Sequence, residues 1–170
     1  LASYQKSGST WVRAFLHNLF LNAAAPLALP ETRGGEISAS ASSLHWYRGL
    51  DKRDPQNWST RDVAMMRPRV QEMIAKSRSG SVFCKTHLPL IKLYDQPTIN
   101  MSATAGAIYI VRDPRDVVIS FADFHGIPID RAIVWLSEKN LEVPASERQV
   151  SEPMGNWTLH VKSWTANPSP

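Results

Sequence analysis

The order of apolar and polar residues along the chain predicts strands that alternate with helices. Apolar residues recur at helical spacing from about residue 10 to residue 21, with polar residues between them. The same spacing predicts later helices over residues 114–124, 129–140 and 156–165. Two short, nearly continuous apolar runs, residues 81–84 and 107–111, are typical of buried parallel strands, and residues 1–4 resemble the end of another strand. The pattern therefore predicts an α/β fold with a central parallel sheet.

A long segment without periodicity separates the first helix from the next. Residues 23–58 are rich in Ala, Ser, Gly and Pro. Loops of this length in a compact domain are often functional. Trp46 and Tyr47, which belong to an aromatic patch in this segment, could therefore contact a substrate, or they could anchor the loop to the core. Both interpretations stay open at this point.

The next helix is predicted over residues 60–78. Ser59 and Asp62 have the spacing of a capping box, in which two side chains satisfy backbone N–H groups at the helix start. Pro68 lies inside this helix and lacks the N–H group that would continue its hydrogen bonding. We therefore expect the helix to be kinked or split at Pro68.

Composition predicts a single globular domain over residues 1–170. Of the 170 residues, 43% are hydrophobic and 20% are charged. The net charge of +4 is modest and the Lys and Arg residues are scattered, which suits a small polyanionic ligand better than nucleic acid. A single cysteine, Cys84, excludes an internal disulfide and favours a cytoplasmic location. The sequence has no apolar stretch long enough to cross a membrane, so we expect no membrane partner.

The loop before the first helix is a candidate anion site. It offers a cation, a flexible glycine and two hydroxyls beside the unpaired N–H groups of a helix start: Lys6, Gly8, Ser9 and Thr10. The loop departs from the phosphate-loop motif G-x-x-x-x-G-K-[ST], because Ser9 follows Gly8 where that motif needs Lys. A sulfuryl group carries less charge than a phosphoryl group, so Lys6 and backbone amides could bind it without a metal. The loop therefore predicts phosphate or sulfate binding.

Two further strand ends carry side chains that bind anions or move protons. Lys85 and His87 follow one predicted strand, and Arg112 follows the next. Asp113 and Pro114 are then suited to the N-cap and the first position of a helix. Because the carboxyl ends of parallel strands meet at one edge of a sheet, we expect these side chains to lie beside the anion loop.

These three segments, in this order, resemble the motifs of sulfotransferases that use 3′-phosphoadenosine 5′-phosphosulfate (PAPS). Tyr4-Gln5-Lys6-Ser7-Gly8-Ser9-Thr10-Trp11 resembles the 5′-phosphosulfate loop, usually Y-P-K-S-G-T-T-W. Lys85-Thr86-His87 resembles the K-T-H motif. Arg112-Asp113-Pro114-Arg115-Asp116-Val117-Val118-Ile119-Ser120 resembles the 3′-phosphate loop R-[ND]-P-x-D-x-x-V-S. The departures at Gln5 and Ser9 remove no hydrogen-bond donor, and Ile119 replaces Val conservatively.

The resemblance implies a three-layer α/β/α fold of the P-loop nucleotide-kinase-like type. It implies sulfuryl transfer from PAPS to a hydroxyl or amine of a small-molecule acceptor, with adenosine 3′,5′-bisphosphate as product and no metal. His87 would be the general base, and Lys6 and Lys85 would stabilise the developing charge. Trp11 would stack on adenine and Arg112 would pair with the 3′-phosphate. Cofactor contacts are implied for Lys6, Ser7, Gly8, Ser9, Thr10, Trp11, Arg112 and Ser120.

Two other functions remain open from the sequence. A phosphoryl-transferring kinase with an unusual loop would bind ATP and depend on magnesium. A truncated domain would bind adenosine 3′,5′-bisphosphate without turnover, because the family's later R-K-G-x-x-G-D-W-K segment has no counterpart before Pro170. We expect the chain to be a fragment, shortened at both ends. The motifs predict neither the identity of the acceptor nor an oligomeric state.

Overall fold

The computed structural model describes residues 1–22, 25–26 and 38–166 of the chain. Its helices are α1 (Ser9–Leu21), α2 (Leu44–Tyr47), α3 (Thr60–Ala75), α4 (Pro114–His125), α5 (Ile129–Ser137) and α6 (Trp157–Thr165). Its strands are β1 (Ala2–Ser3), β2 (Ser38–Ser40), β3 (Phe83–Lys85), β4 (Lys92–Leu93), β5 (Gln96–Pro97), β6 (Tyr109–Ile110), β7 (Glu142–Val143) and β8 (Glu152–Pro153). Single 3₁₀ turns lie at Pro55–Asn57 and Met101–Ala103.

Four of these strands form a central parallel sheet. β2 pairs in parallel with β3, and β1 pairs in parallel with β6. A parallel bridge between Ala2 and Thr86 joins the two pairs, and the Thr86 amide donates to the Leu1 carbonyl oxygen at 3.0 Å. The strand order is therefore β2-β3-β1-β6, which confirms the predicted α/β fold with a central parallel sheet. Because β1 lies in the middle, the loop that follows it opens between the loops that follow β3 and β6.

Helix α3 begins where the capping box predicted it to begin. Ser59 Oγ accepts from the Asp62 amide at 3.1 Å, and the Asp62 carboxylate accepts from the Ser59 amide at 2.9 Å. The helix is continuous through Pro68, so the expected split does not occur. Val70 and Ile74 are buried on the C-terminal side of the proline, and their packing holds that half of the helix in place.

The start of α4 likewise follows its local sequence. The Asp113 carboxylate accepts from the Arg115 amide at 2.9 Å, and Pro114 is the first helical residue. This cap is where β6 passes into α4, so it fixes the direction in which the helix leaves the sheet. The capped junction brings Arg112, immediately before it, to the carboxyl edge of the sheet.

Two clusters of buried apolar side chains stabilise the fold. The first packs α4 and α5 against the residue that follows β1, and its members are Tyr4, Val117, Phe121, Ala122, Ala132, Leu136 and Met154. The second packs α2 against α3, and its members are Leu44, Tyr47, Val63, Val70, Ile74 and Val150. Tyr4 directly precedes the candidate anion loop, so the first cluster also anchors the start of that loop.

The segment predicted as one long loop contains regular structure in its described part. Ser38–Ser40 forms β2, and Leu44–Tyr47 forms α2, so the expectation of an unstructured excursion was wrong for residues 38–58; most of its earlier part lies outside the described residues. Tyr47 is fully buried in the second cluster, which favours the anchoring interpretation for this residue. No helix in the described part of the chain is both long and apolar enough to span a bilayer.

Candidate functional site

The loop between β1 and α1 is shaped by two residues with positive φ. Lys6 has φ 63° and Gly8 has φ 101°. Gly8 is the N-cap of α1 and has no side chain that could cap the first helical amides, and the first turn holds no acidic residue. The first amides of a helix have no partner within the helix, so this helix start presents donors and the positive end of the helix dipole to a ligand.

Ser7 adds a buried hydroxyl to the same loop. Its side chain is 6% exposed, and its Oγ has no hydrogen-bond partner among the described residues. Buried polar atoms without partners are rare, because each one loses its bonds to water without replacement. The ligand-free loop therefore leaves this hydroxyl unpaired within the described part of the chain.

Arg112 connects the third strand end to this loop. Its Nη1 donates to the Lys6 carbonyl oxygen at 2.9 Å, and its Nε lies 4.0 Å from the Asp116 carboxylate. The Lys6 ammonium lies 4.3 Å from the centre of the Phe124 ring, one helical turn beyond Ser120 on α4. The loops after β1 and β6 are thus joined by a hydrogen bond from the Arg112 side chain to the Lys6 backbone, and both cations line the same cavity.

His87 lies at the end of β3 with its imidazole fixed by β1. Nδ1 lies 2.8 Å from the Ser3 carbonyl oxygen. Since a carbonyl oxygen only accepts, Nδ1 carries the proton in this contact, and Nε2 of the neutral ring is left as an acceptor. Burial, followed by the positive charge of Lys85, lowers the pKa of His87 to about 3. The imidazole is therefore neutral at physiological pH.

These strand ends enclose one cavity of about 300 Å³. It is lined by Gln5, Lys6, Gly8, Ser9, Thr10, Trp11, His87, Arg112, Ser120 and Phe124. The structure thus brings together eight of the ten residues that the sequence singled out for catalysis or cofactor binding. The two that do not line the cavity are Ser7 and Lys85.

Lys85 lies inside β3, where it pairs with Ser40 of β2. Burial lowers the pKa of Lys85, and the carboxylate of Glu152 opposes that shift. Lys85 belongs to the strand itself, whereas His87 lies two residues further on in the loop, and only His87 lines the cavity. Its effect on the site is electrostatic, since its charge is one of the causes of the low pKa of His87.

Two contacts of the site had no signal in the sequence motifs. The Ser3 partner of His87 is a backbone carbonyl, which any residue would provide. The Glu152 carboxylate, buried on β8, accepts from the His87 amide at 3.4 Å, and these two residues are 65 positions apart. The position of Phe124 in the cavity lining could have been predicted, because Phe124 follows Ser120 by one helical turn and lies on the same face of α4.

Together, the parallel sheet and the cationic loops at its carboxyl edge define an α/β protein with a candidate anion site at a helix start. A family model described as the sulfotransferase domain matches residues 1–169 of the 170-residue chain. The chain therefore belongs to the sulfotransferase domain family, as its three motifs predicted, and has that family's P-loop-like α/β fold. A comparison with curated protein sequences gave no significant match.

Proposed function

We propose that the protein transfers a sulfuryl group from PAPS to a hydroxyl or amine of a small-molecule acceptor, with His87 as general base. Family membership supports sulfuryl transfer in general. The observation that carries the finer proposal is the convergence of Lys6, His87 and Arg112 on one cavity. The two cations around this cavity can bind an anionic donor, and the neutral imidazole can accept the proton that the acceptor loses.

The residues around the cavity fit both charged ends of this donor. The uncapped start of α1 and the hydroxyls of Ser9 and Thr10, which line the cavity, offer hydrogen-bond donors for the 5′-phosphosulfate. The Arg112 guanidinium, which follows β6, offers coplanar N–H donors for a bidentate contact with the 3′-phosphate. Trp11 is 71% exposed at the cavity wall, so its ring is free to stack on adenine.

When bound, the donor supplies a sulfur atom whose bond to the 5′-phosphate oxygen breaks as the bond to the acceptor oxygen or nitrogen forms. His87 Nε2 takes the acceptor proton, since Nδ1 already donates to the Ser3 carbonyl. Lys6 stabilises the electron pair that returns to the phosphate oxygen, and the amides at the start of α1 support it. The leaving product is adenosine 3′,5′-bisphosphate.

The low pKa of His87 keeps the base in its proton-accepting form. Without a ligand, burial and the charge of Lys85 disfavour the imidazolium. The negative charge of a bound donor acts in the opposite direction and raises the pKa of His87 toward the range that suits proton transfer. We propose that Lys85 acts by setting this balance.

The test is the substitution His87→Asn. The Asn amide retains a donor for the Ser3 carbonyl and loses the acceptor at Nε2, so we expect kcat to fall by about 100- to 10,000-fold. Transfer from PAPS to an alcohol, a phenol and an amine is followed by mass spectrometry of the sulfated products. Binding of adenosine 3′,5′-bisphosphate, measured by calorimetry, should stay within about twofold, because the imidazole contributes no charge to it.

His45→Asn is the matched control, because His45 is exposed and does not line the cavity. This variant should have the activity of the wild type. Retention of most of the wild-type kcat by His87→Asn would remove His87 from the proposed role.

A further inference from the structure

Three side chains on one face of α6 hydrogen-bond the backbone that follows β3. The contacts are His160 Nε2 to the His87 carbonyl oxygen at 3.0 Å, Trp164 Nε1 to the Leu88 carbonyl oxygen at 3.0 Å, and the Leu90 amide to Ser163 Oγ at 2.9 Å. Residues three and four apart share a helix face, so α6 meets this segment along its length. The segment begins with the proposed base, and its backbone is therefore fixed by a helix far away in the sequence.

His160 is the contact that reaches His87 itself. It is fully buried, and both of its ring nitrogens have partners. Nε2 faces a carbonyl oxygen, which only accepts, so Nε2 carries the proton and Nδ1 accepts from the Tyr109 hydroxyl at 2.9 Å. Tyr109 belongs to β6, the strand that leads to Arg112. The ring of His160 thus connects β6 to the main chain of His87.

We propose that His160 is a positioning residue that fixes the direction of the His87 imidazole toward the cavity. His87 is then held at three points: its Nδ1 by Ser3 of β1, its amide by the Glu152 carboxylate, and its carbonyl oxygen by His160. The contacts to the main chain matter for the ring, because a side chain turns with its own backbone. This inference rests on the proposed function, in which His87 must present Nε2 to an acceptor.

Filling the space around this position would not by itself require a histidine. The His160 ring lies beside the rings of Tyr4 and Tyr109, whose centres are 5.2 Å and 5.7 Å from its own. An apolar side chain could fill the same space. An apolar residue would leave the His87 carbonyl and the Tyr109 hydroxyl without these partners. His160 does not line the cavity, so it acts on transfer only through residues that do, and its direct contact among them is with His87.

The test compares His160→Gln with His160→Asn. The Gln amide nitrogen reaches the position of Nε2 and keeps the donor to the His87 carbonyl, whereas the Asn amide reaches only the position of Nδ1. We expect kcat within about threefold of the wild type for Gln and about 10- to 100-fold lower for Asn, since small misplacements of a reacting group have effects of this size. The affinity for adenosine 3′,5′-bisphosphate should be unchanged in both variants. Thr165→Val is the control, because it removes an exposed hydroxyl contact to the Val161 carbonyl on the same helix.

Two outcomes would overturn the proposal. One is equal kcat for the Gln and Asn variants, and the other is a parallel loss of bisphosphate affinity and kcat in both. A second readout does not depend on turnover: nitrogen NMR of the imidazole at neutral pH should show His87 protonated at Nδ1 in the wild type and in His160→Gln. His160→Asn should give a mixture of both tautomers, and an unchanged spectrum would also refute the proposal. If the wild type transfers no sulfuryl group, the proposed function fails, while the spectra still decide whether His160 orients His87.

Discussion

Lowering the pH should decrease the free energy of unfolding, because the buried His87 ring resists protonation in the folded state. The size of the decrease follows from the pKa of His87. Burial lowers the pKa of His87 from 6.5 to about 3, so the folded state excludes a proton that the unfolded state binds. The free energy of unfolding therefore does not change with pH through His87 above pH 6.5, where the ring is neutral in both states. It decreases as the pH falls below 6.5, because only the unfolded state then binds the proton. From pH 6.5 to pH 5, 1.5 pH units at about 1.36 kcal/mol each give a loss of about 2 kcal/mol.

His160 adds a second contribution of the same sign, because burial lowers its pKa to about 4. Burial also lowers the pKa of His125, which adds to the loss in both proteins. The wild type should therefore lose at least about 4 kcal/mol of unfolding free energy between pH 7.5 and pH 5, and His87→Asn about 2 kcal/mol less than the wild type. The pKa values of Asp62 and Asp113 are lowered to about 2, so these carboxylates stay ionised over this range and do not contribute.

The assay is urea unfolding of the wild type and His87→Asn at both pH values, followed by tryptophan fluorescence. His45→Asn is the control, since the exposed His45 changes its hydration little on unfolding. An equal loss of stability in the wild type and in His87→Asn would refute the reasoning, because it would mean that the folded state admits the proton at His87.

Two further predictions concern residues that do not line the cavity. Ser7→Ala should stabilise the ligand-free protein by about 1 kcal/mol, because it removes a buried hydroxyl without a partner among the described residues, and it should leave bisphosphate binding within about twofold, because Ser7 does not line the cavity. Unfolding with and without adenosine 3′,5′-bisphosphate measures both effects, and a destabilised ligand-free variant would contradict the assignment. Lys85→Met should raise the pKa of His87, because a neighbouring positive charge is removed. An NMR titration of the His87 ring measures this shift, and an unchanged pKa would show that the charge of Lys85 does not reach the imidazole.

The sequence predicted the parts of the site whose chemistry is contiguous in the chain. The anion loop and the start of α1 adjoin each other, and the motifs around His87 and Arg112 each follow a strand with an apolar signal. Their convergence followed from the rule that parallel strands end at one edge of the sheet. The order β2-β3-β1-β6 places all three loops side by side, as this reasoning required.

The remaining features depend on contacts between distant residues. Ser38–Ser40 forms β2 without any apolar pattern, because pairing with β3 supplies its hydrogen bonds. The support of His87 by the Ser3 carbonyl and by His160 is likewise invisible in the sequence, since one partner is backbone and the other lies 73 residues away. Lys85 was grouped with His87 because they are neighbours, and only the structure places it outside the cavity lining.

Calorimetric titration of adenosine 3′,5′-bisphosphate, compared with ATP and magnesium, tests the central claim most directly. The claim is that Lys6 and Arg112 bind the two ends of one nucleotide in the cavity. We predict that the bisphosphate binds without a divalent metal, and that Lys6→Ala and Arg112→Ala each weaken it at least about tenfold, since each charge-assisted contact contributes about 1.5–3 kcal/mol. Tighter binding of ATP with magnesium, or wild-type affinity for the bisphosphate in either variant, would contradict the account.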